Sequence, residues 1–277
     1  MIGGITMAKQ GFEKSDSERI LPRLEERHPP MPLSTYLMTL LGLAWFFFGG
    51  ETLVVQARGK IDPARWIREA EQVYMRVDNY VATFHKQERV EEQLLKEETI
   101  LIKFKKPFKV YMKWILPPYK GRELIYVEGW NNNQVRIHEG GIFGIITVNI
   151  DPKGSLAMRG NRHPVTDAGI DHLLHVMAEN FRRGTKAGDL AVLACGEEVV
   201  YSRKTQRFEA IFSEGRTNDY YGHRIIINLD VENRLPIRIE IYDGENQLVE
   251  KYGYEDLKLN PGLTDLDFDP KNPEYNF

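Results

Sequence analysis

Cysteine is almost missing: Cys195 is the only one in 277 residues. That excludes an intramolecular disulfide framework and a zinc site built from several thiolates, and within "LAVLACGEE" the residue reads as a small buried hydrophobe. A concentrated basic tract is missing too. Lys and Arg number 37 against 40 Asp and Glu, interspersed to a net charge of −3, so neutralising a phosphate backbone is no main source of affinity and no nucleic-acid partner is expected. Neither G-x-S-x-G nor HExxH occurs, and the glycine-rich "GGIFG" lacks the Lys-Ser/Thr of a phosphate loop. Glu97-Glu98 and Glu197-Glu198 are sequence neighbours, which sends them to opposite faces of a strand and separates them as an acid/base dyad. His172 and His175 share a helix face without the spacing of a metalloprotease, and His163 and His138 complete no ligand signature. No catalytic group, metal or cofactor is expected. The chain has no internal repeat and no low-complexity linker.

What is present first is a break near the start. A charged leader precedes "YLMTLLGLAWFFFGG", whose uncharged core, residues 37–48, has the length of a signal-peptide apolar region, and Val55-Gln56-Ala57 offers a small-x-small cleavage site. The leader before it is longer and more acidic than such signals usually are, with Glu18, Glu25 and Glu26 among Arg19, Arg23 and Arg27. Two outcomes are open: export to the periplasm with cleavage, or a retained inner-membrane anchor, since Tyr36 to Ala57 carries one charge and is long enough to span a bilayer. The partition is a leader, 1–57, and one domain, 58–277.

The domain opens on a helix, with Asp62 as N-cap, Pro63 at N1, and Ile67, Ala70, Val73, Tyr74 and Val77 at three- and four-residue steps. The period then switches to two. "YVATFHKQERV", "EETILIKFKKP", "FKVYMKWILPP", "RELIYVEGW" and "NQVRIHEGG" alternate between turn residues and read as a five-strand meander with one wet side per strand. "TDAGIDHLLHVMAENFRRG" is a second helix with Thr166 or Asp167 as cap and Gly184 as stop. A second antiparallel series follows, and "LDFDPKNPEYNF" reads as an edge strand and a Pro-limited tail. The fold class is mainly β (α+β): a strongly curved antiparallel sheet or incomplete β-barrel of ten or eleven strands with two helices as a lid. Two helices are few to cover an apolar concave face, which is the physical ground for expecting a cavity.

The helix followed by "VATFHKQ", "ILIKFKKPFKVYMKW" and "LIYVEGWNNNQVRIHEGG" resembles the start of the bacterial periplasmic lipoprotein carriers and sorting factors of the LolA and LolB type. Their A-x-F-x-Q strand is matched by Ala82-Thr83-Phe84 with Gln87 one step late, their basic-Pro by Lys106-Pro107, and their aromatic-x-Trp by Met112-Lys113-Trp114. The carriers have arginine where Lys106 stands, so a bidentate role would be weakened. More specifically, "ATFHKQERV", "FKVYMKWILPPYKGRELIYVEG", "HEGG" and "LAMRGNRHPVTDAGI" resemble bacterial domain of unknown function family 1571 across about residues 70 to 270. The resemblance implies a LolA-like half-barrel with a helical lid and an apolar cavity in the cell envelope, and no assigned activity.

On this reading the chain is a periplasmic lipid or lipoprotein-acyl-chain carrier. Ile100, Ile102, Phe104, Met112, Trp114 and Tyr126 line its cavity, and Lys106, Arg159 and Arg162 are head-group candidates. Its partners would be a lipid or acylated protein and inner- or outer-membrane envelope proteins. An envelope scaffold on the same fold is the alternative, and a hydrolase using His163 with Glu139 a more distant one. Arg159, Asn161, Arg162 and His163 of "RGNRHP" fit either an anion site or a polar brace, with Arg162 or Arg159 pairing with Glu139 as one version of the brace.

Overall fold

Residues 63–141, 144–213 and 220–277 are described in this computed structural model. The 37–48 apolar run, the cleavage site and the Asp62 cap lie outside them. Helix α1 (Pro63–Met75) places Trp66, Ile67, Ala70 and Tyr74 on one buried stripe, as its three- and four-residue spacing demands. The period-two segments that follow form β1 (Asn79–Val90), β2 (Gln93–Leu94), β3 (Glu98–Lys105), β4 (Lys109–Trp114), β5 (Glu123–Val127), β6 (Val135–His138) and β7 (Thr147–Ile150). The short helix α2 (Ser155–Met158) and the long α3 (Ile170–Ala187) come next. They are followed by β8 (Leu190–Val200), β9 (Arg203–Phe212), β10 (Arg224–Asp230), β11 (Pro236–Tyr242) and β12 (Leu248–Leu259).

All twelve strands belong to one antiparallel sheet in the order β7-β6-β5-β4-β3-β1-β12-β11-β10-β9-β8, with β2 folded back on β1. Two meanders are thus joined by pairing the first strand with the last, and the terminal strands β7 and β8 leave the sheet unclosed. The fold class is the expected one, with one strand more than the upper count and a third, four-residue helix. Curvature follows from which side chains meet: Val148 and Ile150 of β7 and Ile225 of β10, near opposite ends of the sheet order, face a single cavity. Helices α1 and α3 cover this concave face. Trp66 packs edge-on to Phe181 at 5.8 Å and parallel to Phe208 at 6.1 Å.

Three local expectations need correction. Helix α3 does not start at Thr166 or Asp167, which lie in a separate 3-10 turn, and it does not stop at Gly184. Gly184 is buried inside the helix, where a Cβ would come within 2.8 Å of the Phe212 ring; glycine there serves close helix-to-sheet approach, and Gly188 caps the end instead. Strand β4 ends at Trp114, so Leu116, which the alternation of "FKVYMKWILPP" would put on the apolar face with Val110, Met112 and Trp114, is 51% exposed on the following loop. The 265–277 tail is no edge strand. A 3-10 turn (Asp265–Phe268) leads it across the outer face of β4 and β5, where Phe268 joins the buried Tyr111 and Ile125, and Tyr275 stacks on Tyr111 at 3.9 Å. The tail thus covers the apolar residues that alternation sends outward and leaves Lys109 and Lys113 as the part-exposed remainder of that face.

Candidate functional site

The inward register of the central strands generates the site. Counting by two along β1 gives Tyr80, Ala82, Phe84, Lys86 and Glu88; β3 gives Glu98, Ile100, Ile102 and Phe104; β12 gives Glu250, Tyr252 and Tyr254. Each row is apolar at one end and charged at the other. Pairing aligns those ends, with Lys86 opposite Glu98 on one side and Tyr252 on the other, and Glu88 opposite Glu250. Two buried carboxylates facing each other on neighbouring strands repel unless cations reach them.

The "GNRHP" segment supplies those cations. The Arg162 backbone N–H donates to Glu88 at 3.0 Å, and its Nε donates to Glu250. His163 Nε2 lies 2.9 Å from Glu250 Oε1, and the Tyr221 hydroxyl donates to Glu250 Oε2 at 2.7 Å. Lys86 Nζ reaches Glu88 at 3.3 Å, Glu98 at 3.4 Å and Asn161 Oδ1 at 2.5 Å. Trp114 Nε1 donates to Glu98, and the Tyr252 hydroxyl donates to Glu88 at 2.6 Å. Burial works against the charge on His163, but the hydrogen bond and the negative charge of Glu250 outweigh it and raise its pKa above the ordinary histidine value. Burial likewise opposes ionisation of Glu250, yet the bonds and charge from His163, Tyr221 and Arg162 bring its pKa below the usual glutamate range. Burial, reinforced by the Glu250 charge, lifts the Tyr221 phenol well above its ordinary range, so it stays a donor.

Beside this network lies a cavity of about 590 Å³, inside the ~300–1,000 Å³ span of small-molecule sites. Ile100, Met112, Trp114 and Leu124 form its sheet wall, Ile225, Ile239 and Tyr254 its far wall, and Leu173, Val176 and Met177 of α3 its roof. Segment 151–169 lies along it through Leu156, Ala157, Arg159 and Val165. Apart from the network, its lining is mainly apolar, with Arg159, Asp167, His172, Asn180 and the pair Arg122–Glu139 as further polar members.

The site residues expected from sequence separate into three groups. Ile100, Met112 and Trp114 line the cavity together with Glu139, Arg159, Asn161 and His163. Ile102, Phe104 and Tyr126 do not. Ile102 is fully buried in the core beyond it, and Phe104 stacks on Tyr80 at 5.2 Å. Tyr126 faces a separate polar recess of about 630 Å³ shared with Phe108, Glu128 and Asn133. The reason is position along the strand: these three sit toward the end where α1 and the start of α3 close on the sheet. Lys106 is no head-group contact either. Its Nζ donates to the Tyr74 carbonyl at 2.8 Å and lies 4.2 Å from the Tyr74 ring centroid, so it caps the C-terminal turn of α1. Arg162 is spent on Glu250, and Glu139 is held by Arg122 at 2.9 Å rather than by Arg159 or Arg162. Arg159 is exposed and its guanidinium has no partner among the described residues.

Glu88, Glu250, Lys86 and Tyr221 escaped the sequence reading, and Glu98 entered it only as half of a discounted acid pair. A signal existed for Lys86, Glu88, Glu98 and Glu250: continuing the apolar period one step of two lands on Lys86, Glu98 and Glu250, and a second step on Glu88. His163 and His172 both border the cavity with ring centroids 6.5 Å apart, but among the described residues no group of three or more His, Cys, Asp or Glu is arranged to hold a metal ion.

Residues 77–277 match the family described as Protein of unknown function (DUF1571). The chain belongs to this family. No curated protein matches the DUF1571 chain. Solved structures similar to it include lipoprotein LppX from Mycobacterium tuberculosis, at 13% identity, covering 76% of this chain and 100% of that one with a TM-score of 0.45. A putative outer membrane lipoprotein-sorting protein domain from Vibrio parahaemolyticus aligns at 11% identity, 73% and 95% coverage and a TM-score of 0.35. A LolA superfamily protein from Nitrosomonas europaea aligns at 10% identity, 76% and 98% coverage and a TM-score of 0.31. No helix among the described residues of the DUF1571 chain is long and apolar enough to cross a membrane.

Proposed function

We propose that this chain is a non-enzymatic carrier or binding protein of the bacterial periplasm that holds the acyl chain of a lipid or lipoprotein. One observation carries the reading: the concave face is left with a cavity of about 590 Å³ whose walls are mainly aliphatic and aromatic. At about 30 Å³ for a group the size of a water, that is room for a chain of fatty-acid length. Burying a dozen methylenes contributes about 10 kcal/mol; an association cost of about 4 kcal/mol leaves roughly 6, or a Kd of some tens of micromolar. Such holding is reversible, as a carrier requires. Partners in this reading are the acylated cargo and the envelope proteins that deliver or receive it.

The polar network supports a binding role over a hydrolytic one. The carboxylate proposed from sequence as partner for His163, Glu139, is tied to Arg122, while His163 Nε2 is engaged by Glu250 and Tyr221. A general base needs a free nitrogen aimed at substrate, and this nitrogen is committed to the fold.

Native mass spectrometry and lipid extraction on protein purified from its own envelope test the proposal. Stoichiometric acyl lipid is the expected result; an empty cavity across several growth conditions refutes it.

A further inference from the structure

The cavity meets solvent at a definable place. Of its lining residues only Tyr119, Leu156 and Arg159 are exposed, the first on the β4–β5 loop and the others on segment 151–169, so the opening lies between these two. Large exposed apolar side chains gather on the same segments and the neighbouring β6–β7 loop. Leu116 is 51%, Ile145 93% and Leu156 57% exposed, accompanied by Ile115, Tyr119 and Ile146. Soluble surfaces rarely collect aliphatic groups this way without a partner.

The two loops form one unit. Gly140 packs so closely on the β4–β5 loop that a Cβ would fall 2.4 Å from the Lys120 carbonyl oxygen. Arg122 binds Glu139 across the gap while stacking on Tyr119 at 4.3 Å, and the Glu139 N–H donates to the Ile146 carbonyl. Charge around the opening is tipped the other way from the chain: Lys120, Arg122, Lys153 and Arg159 on these segments stand against Glu139, Asp151 and Asp167, on a protein of net charge −3. The Lys120 ammonium and the Arg159 guanidinium have no partner among the described residues.

We infer that this rim docks on the surface of an anionic lipid bilayer, seating its apolar side chains among the acyl chains and its cations against the head groups, so that cargo passes between bilayer and cavity without crossing water. The inference rests on the cavity being a lipid site. Aliphatic residues flanked by basic ones match the two layers of an anionic membrane, whereas a protein partner would call for a polar rim with hydrogen-bonding complementarity. Each cation near such a surface adds attraction that salt screens.

The test uses the full chain with Cys195→Ser and a single new cysteine, Leu116→Cys or Ile145→Cys, carrying an environment-sensitive fluorophore; Val199→Cys on β8, 72% exposed, is the control. With phosphatidylglycerol-containing vesicles the rim probes should shift to the blue and be quenched several-fold by brominated acyl chains, and the control should not. Pure phosphatidylcholine vesicles, high salt, or Lys120→Glu with Arg159→Glu should reduce the response. Water-like emission from both rim probes, or equal responses at rim and control, overturns the inference. Extracted lipid on the same preparation keeps the two ideas apart: cargo present with silent rim probes removes the docking surface alone, and no cargo removes the carrier reading.

Discussion

Replacing Glu250 with glutamine tests whether the carboxylate network holds the cavity wall together. Its side chain is fully buried and takes hydrogen bonds from Arg162, His163 and Tyr221. Glutamine keeps the size but removes the charge, leaving Arg162 and His163 without their shared counter-ion while relieving the repulsion between Glu250 and Glu88. Breaking one side of a buried pair costs about 3–5 kcal/mol, and solvent access to Arg162 and His163, whose side chains are 36% and 26% exposed, points to the low end, about 3 kcal/mol. For a domain of this length each kcal/mol moves the melting temperature by about 2–4 °C, so a fall of about 6–12 °C is expected by calorimetry. The pH profile gives an independent check. His163 has a raised pKa, so its contribution is complete below about 6.5 and is lost as pH rises through the folded value. Glu250 has a lowered pKa, so its contribution is present above about 4.3 and is lost as pH falls through the folded value. The parent should therefore gain most from the pair between about pH 4.3 and 6.5, and the variant should lose both limbs. A cost below about 1 kcal/mol, or an unchanged loss of stability on the alkaline side, would refute the reasoning.

Val176→Trp introduces an indole on the half-buried cavity face of α3; co-purifying lipid should fall several-fold by mass spectrometry at a nearly constant melting temperature, and undiminished lipid would mean that it binds elsewhere. Tyr275→Ala removes the ring stacked on Tyr111 and the hydroxyl that Lys103 reaches at 3.1 Å, an expected loss of about 2 kcal/mol in urea titration for a half-buried aromatic. A change within about 0.5 kcal/mol would show that the tail merely rests on the sheet.

Strand positions were legible because alternation survives wherever one face of a strand is wet, as in Ile100, Ile102 and Phe104. The tail was not. Its contribution depends on Tyr275 and Phe268 meeting Tyr111 and Ile125 across more than a hundred residues, and no local period encodes such a meeting. The two-sided "RGNRHP" question resolved by register: only pairing β1 with β12 brings Glu88 opposite Glu250 and so creates the demand that Arg162 and His163 meet. That pairing lies outside any window of sequence. For the same reason Ile102 and Phe104 read as equivalent to Ile100, since periodicity assigns a face but not a depth along it.

Joining the first strand to the last has a temporal consequence. Tyr80 pairs with Leu259, and the cavity takes walls from β1, β3 and β12 alike. A chain emerging from its N-terminus therefore has no pocket to fill until nearly all of it has been made, and such distant pairings are slow to form. The receptacle comes into being only when the final strand slots in.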